Sequence, residues 1–233
     1  MEARMRSGRR SGRIVTALLA ALGALALSAG PSAAQERNAV QQYAVRGGDT
    51  VYGDHGGACQ VGFNARSSSG TRYGIVLGAC AEGASTWYAD AARTVEVGTA
   101  GGGLPGPGTA ALIRYTNPEV AFPGEITVGG DHVDITGSAA PRVGQNVCHA
   151  GRTSGLRCGV VQAVNVTIQF PDGIVYGAFR ATDCAEPGDA GAPGFSGTVA
   201  LGLVLGGSNC AAGGSAYHLP VREVLSTYGL AVY

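Results

Sequence analysis

Forty glycines in 233 residues, scattered without a Gly-x-y period, limit this chain more than any other feature. Glycine at that density disfavours helices, because it loses the most backbone freedom on ordering. The missing three-residue period argues against a collagen-like triple helix. What remains is a set of short strands joined by many tight turns. Apolar residues make up 45% of the sequence, enough to bury a core and offset the ordering entropy, so disorder is disfavoured.

The first residues follow another pattern. Arg4, Arg6, Arg9, Arg10 and Arg13 make a basic start, Ile14 to Ala29 an apolar run, and Ser32-Ala33-Ala34 a small-residue end. This predicts a secretory signal over 1–34, cut before Gln35, followed by a short segment 35–44. A membrane anchor is the alternative, but the run is shorter than the roughly 20 apolar residues that cross a bilayer. Arg9-Arg10 alone is a weak sign of twin-arginine export. No later segment is apolar enough to span a membrane, so the sequence predicts a secreted, extracellular protein without membrane contact after cleavage.

Charge adds an exclusion. The full chain balances 16 Arg, with no Lys, against 16 acids; losing 1–34 leaves 11 Arg, 15 acids and a net charge near −4. Nucleic acid is therefore not an expected partner, since phosphate binding needs clustered cations.

Six cysteines allow 15 pairings. Their order, Cys59 and Cys80, Cys148 and Cys158, Cys184 and Cys210, suggests sequential pairing into three short loops in an oxidising compartment. Metal binding is the alternative, but there is no C-x-x-C pair, and His55, His132, His149 and His218 are scattered. No metal or other cofactor is expected.

Strands are predicted at Cys59–Ala65, Ala111–Tyr115, Gly159–Val164 and Leu201–Leu205, short β-branched or aromatic runs bounded by Gly or Pro. Their spacing suggests a sandwich or barrel. One helix is predicted from Pro220 to Tyr228, with Val221, Val224, Leu225 and Tyr228 on one face and Gly229 ending it. The stretch from Gly124 to His132 is the least periodic and the best boundary between two halves.

The run Cys184-Ala185-Glu186-Pro187-Gly188-Asp189-Ala190-Gly191-Ala192-Pro193 resembles the nucleophile loop of chymotrypsin-like serine peptidases, and more narrowly the bacterial streptogrisin and alpha-lytic branch, where it reads C-A-E-P-G-D-S-G-G-P. Val45-Arg46-Gly47-Gly48, Cys59 to Asn64, Arg114-Tyr115-Thr116-Asn117, Ser226-Thr227-Tyr228-Gly229 and Val232-Tyr233 match the same branch in order. The resemblance covers residues 45–233. It implies an all-β fold of two six-stranded antiparallel Greek-key barrels, about 45–128 and 129–233, with a short C-terminal helix.

The chemistry does not follow. Acyl transfer in that family needs a serine, a histidine base and an aspartate that orients it. By the resemblance these positions fall on Ala190, Ala79 and Thr109, and no acid lies between Glu96 and Glu119 to replace the aspartate. The serine that helps hold the family's aspartate falls on Leu205. The loop around Gly188, Asp189 and Ala190 keeps backbone amides that can form an oxyanion hole. Glu186, Leu205, Gly206 and Gly207 match the cleft walls, and His149 falls where relatives carry an arginine, which predicts pairing with Asp189. Ser196, six residues past Ala190, lies in a predicted turn.

These readings predict a noncatalytic, monomeric homologue that binds extended peptide or an extracellular protein by strand addition. A serine endopeptidase with an unrecognised nucleophile is the alternative. The short 35–44 segment agrees with the first reading, since active relatives carry a sizeable self-removed pro-segment.

Overall fold

A computed structural model describes residues 43–233 apart from 105, 172 and 209, so the predicted signal and most of the 35–44 segment lie outside the described residues. Glycine and alternating apolar residues give strands throughout. The predicted strand Cys59–Ala65 is bent: Ala58–Gln60 and Phe63–Ser67 are separate segments. At the bend, the Val61 N–H donates to Asp49 O (2.9 Å) and the Gly62 N–H to Ile75 O (2.8 Å), so the chain changes partners there.

Counting that bent segment as one strand closes the first sheet on itself. Thr50–Gly53, Ala58–Ser67, Arg72–Leu77, Ala110–Tyr115, Glu96–Gly103 and Thr86–Tyr88 follow one another around a barrel. The second barrel runs Asn146–Gly151, Gly155–Phe170, Gly173–Ala181, Ala216–Pro220, Val199–Gly207 and Pro193–Ser196. In both, the strands follow in the circular order first, second, third, sixth, fifth, fourth. The fold is thus two copies of one antiparallel Greek-key barrel, as the resemblance implies. Ser196 ends a strand at the turn into Val199–Gly207.

The stretch read as aperiodic is ordered. It holds a hairpin, Glu125–Val128 with Asp131–Asp134, turned by Gly129 and Gly130 at φ 60° and 99°. The helix spans Val221–Tyr228, one residue shorter than predicted, with Pro220 as N-cap and Gly229 left-handed at φ 61°. Its buried residues Val221, Val224 and Leu225 join Phe63, Ile75, Leu77 and Leu112 of the first barrel and Phe195, Leu203 and Leu219 of the second. That shared core fixes the barrels against each other. Leu230–Val232 then pairs with Phe63–Ser67, so the chain ends on the first barrel.

Three disulfides join Cys59–Cys80, Cys148–Cys158 and Cys184–Cys210, the sequential pattern the cysteine order suggests. No helix among the described residues is long and apolar enough to cross a membrane.

Candidate functional site

The loop from Cys184 to Gly191 is held by one buried carboxylate. Asp189 Oδ1 accepts the N–H groups of Thr153 (2.8 Å) and Ser154 (3.1 Å), and Oδ2 accepts the Glu186 N–H (2.8 Å). Burial pushes this carboxyl up, but the bonds from Glu186, Ser154 and Thr153 outweigh it and hold it below the ordinary range. Gly188, at φ 103°, makes the turn. Among the described residues neither the Gly188 nor the Ala190 N–H donates to a protein acceptor. Two backbone donors therefore stand free beside an exposed methyl, that of Ala190. Glu186 Oε1 accepts the Cys210 N–H (2.8 Å), which with the Cys184–Cys210 bridge ties the loop to the neighbouring turn.

His149 does not pair with Asp189, against the sequence expectation. Its Nδ1 lies 2.8 Å from Asp183 Oδ2, and both side chains are fully buried. His218 Nε2 reaches the same oxygen at 3.0 Å. The reason is local: the turn 151–155 delivers two backbone amides to Asp189, which leaves no need for a cationic side chain there. Burial raises the Asp183 carboxyl, while the bonds from His149 and His218 more than reverse this and keep it well below the usual carboxylate range. The scattered histidines of the sequence are thus partly gathered, although residues 149, 183 and 218 share no spacing motif. Sequence reasoning missed Asp183 altogether; its place beside Cys184 carries no chemical signal.

Can this cluster hold a metal? The three ligand atoms lie within 4.8 Å of one another. A metal on His218 Nε2 forces the ring proton onto Nδ1, and metal-bound imidazoles donate that remaining N–H to an acceptor. His218 Nδ1 is buried with no partner. The residues do not fit a metal. With the proton on Nε2, His218 donates to Asp183 and leaves only a lone pair unsatisfied. His149 donates through Nδ1 and presents Nε2 to Ser154 Oγ at 3.4 Å.

Ala79 and Thr109 lie on the first barrel. The Gly78 N–H donates to Thr109 O (2.9 Å), which brings the two segments together. Ala79 is exposed, and Thr109 turns its hydroxyl back to Leu104 O (2.6 Å) and Gly106 O (2.7 Å) of its own loop. Beside them, Ala81, Ala84, Trp87, Ala100, Ala111 and Leu112 line a half-open pocket of about 230 Å³. Leu205 is half-buried and packs against the shared core that contains Leu77, Ala110 and Leu112.

The second barrel supplies a free sheet edge. The Val204 N–H donates to Ala192 O (2.9 Å) and the Gly191 N–H to Val204 O (2.8 Å). Beyond Val204, residues 205–207 pair, among the described residues, only with Ala216–Pro220. On one face of this edge, Gly207 abuts the loop: a Cβ there would lie 2.8 Å from Ala185 N.

Known proteins share this architecture and much of this sequence. Serine protease 2 of Streptomyces fradiae is 44% identical over 174 residues, 73% of this chain and 99% of its own. Glutamyl endopeptidase 2 of Streptomyces griseus is 37% identical over 81% of this chain and all of its own. Among solved structures, alpha-lytic protease homolog N4 matches with a TM-score of 0.74 and 49% identity over 82% of this chain and all of its own. A glutamic acid-specific serine protease that uses a histidine triad in substrate binding gives a TM-score of 0.74 and 38% identity over 81% of this chain and all of its own. No family model matches the chain. On relatives this similar and this fully covered, the chain belongs to the streptogrisin and alpha-lytic branch of the chymotrypsin-like serine proteases.

Proposed function

We propose that this family member is a secreted, noncatalytic protein that binds extended peptide at the former protease cleft. The observation that carries this reading is the exposed methyl of Ala190 beside two free amides; the sequence resemblance, which assigns the base and aspartate positions to Ala79 and Thr109, supports it. Alanine supplies the backbone donor of an oxyanion hole but no nucleophile. Losing the serine or the histidine alone typically costs on the order of 10⁶ in turnover, and losing all three costs about as much. The histidines do not compensate: His149 and His218 are committed to Asp183, His55 Nδ1 pairs with Asp54 (2.8 Å), and His132 lies exposed on the hairpin strand Asp131–Asp134. Binding is supported by the edge 205–207, whose free backbone groups can accept a further strand. The glutamate preference of a relative is not carried over, because the buried imidazoles here already face a carboxylate of this chain.

A second reading places a nucleophile at Ser154, since Ser154, His149 and Asp183 stand in hydroxyl–imidazole–carboxylate sequence at 3.4 and 2.8 Å. Two facts count against it. His149 is fully buried and cannot reach a leaving group, and Ser154 sits beside the Asp189 carboxylate, which would repel an oxyanion. Treatment of the purified protein with a fluorophosphonate separates the readings. The binding reading predicts no covalent adduct; an adduct on Ser154 that is lost in Ser154→Ala supports the second.

A further inference from the structure

A peptide that adds beside residues 205–207 would direct one side chain between that edge and the loop at Ala185, and here the two touch. A Cβ on Gly207 would lie 2.8 Å from Ala185 N and 2.9 Å from Ala185 Cβ. The Gly207 Cα therefore stands within about 4.4 Å of that methyl, adding one carbon–carbon bond. A methylene held between two walls needs about 7 Å, one van der Waals contact on each side. No side chain passes. Below the contact, Ala185, Ala192, Val204 and Ala216 form a buried cluster, and Val204 is in register with buried His218. On the opposite face, Phe170 Cε1 stands 3.5 Å from where a Cβ on Gly206 would be.

Resting on the binding reading above, we infer that the cleft selects an extended peptide with glycine at the residue that lies over the Gly207–Ala185 contact. Any larger residue must part the two walls, and they are tied together by the Cys184–Cys210 bridge and the Glu186–Cys210 hydrogen bond. Glycine alone crosses with its backbone in the strand and nothing below it. The contact is made mainly by backbone: a Cβ on Gly207 would lie 2.6 Å from Ser215 O and 2.8 Å from Ala185 N, with the Ala185 methyl next at 2.9 Å.

The test is panning of the full secreted chain against displayed random decapeptides, followed by fluorescence anisotropy on the enriched sequences. The inference expects one shared glycine, whose replacement by Ala weakens binding at least about tenfold and by Phe abolishes it. In Ala185→Gly, which removes the methyl but keeps the Ala185 N at 2.8 Å, the Ala-substituted peptide should recover only part of its loss. Enriched peptides that carry bulky residues at every position, or that tolerate Phe in place of each glycine, overturn the inference and leave the binding reading standing. Failure to enrich any peptide overturns both.

Discussion

His149 Nδ1 meets Asp183 Oδ2 at 2.8 Å, and this pair, not one with Asp189, organises the interior of the second barrel. Two imidazoles converge on a single buried carboxylate, with Phe179 stacked on His218 at 4.6 Å. Asp189 is satisfied instead by the backbone of Thr153, Ser154 and Glu186. The loop that carries Ala190 is thus positioned without a cation.

Asp183→Asn keeps the shape and removes the charge. Its one carbonyl oxygen can stand in for Oδ2, and its N–H₂ then lies at the Oδ1 position, facing the His218 Nε2–H that stands 3.3 Å from that oxygen. Weakening the acceptor for these buried N–H groups in this way costs about 1–3 kcal/mol. Urea unfolding should show a loss of that size, and an unchanged midpoint contradicts the assigned network.

Acid should weaken the fold through the same groups. Asp183 and Asp189 both titrate below the ordinary value of 3.8 when folded, so the unfolded chain takes up protons first as pH falls. Their contribution is complete above about pH 4 and declines below it. Melting temperatures measured from pH 6 to pH 2.5 should fall below pH 4, with a shallower fall in Asp183→Asn and Asp189→Asn. Parallel curves for all three proteins contradict the linkage.

The Cys184–Cys210 bridge closes a 26-residue separation around the candidate site. Chain entropy gives such a loop about 3.5 kcal/mol. The double variant Cys184→Ser, Cys210→Ser should lose about that much stability in denaturant, and limited proteolysis should cut first within residues 184–210. Cleavage elsewhere first shows that another segment limits the fold.

Rebuilding the chemistry tests how much of the site survives. Ala79→His, Thr109→Asp, Leu205→Ser and Ala190→Ser together should permit fluorophosphonate labelling at position 190, because the free amides of Gly188 and Ala190 remain. Peptides with bulky residues should still resist cleavage, since the Gly207–Ala185 contact is untouched. A folded quadruple variant without label shows that the geometry has drifted as well as the residues.

Much of this architecture was legible in the residues. Glycine-bounded apolar runs predicted the strands, Pro220 and Gly229 bracketed the helix, and the cysteine order matched its pairing. Tertiary effects were not legible. The bend at Val61–Gly62 arises because Val61 bonds Asp49 while Gly62 bonds Ile75 of another strand, and the hairpin Glu125–Asp134 forms in a stretch with no clear period. The partner of His149 depends on where the turn 151–155 aims its amides. The wall contact at Gly207 joins segments 22 residues apart in numbering, through distances that composition cannot encode.

The central claim is that this member of a protease family does not cleave peptides. The most direct test is mass spectrometry of a mixed peptide library after prolonged incubation with the pure protein. The account predicts a product profile identical to that of buffer. New cleavage products that grow with protein concentration, and vanish in Ser154→Ala or in any other single serine variant, contradict it.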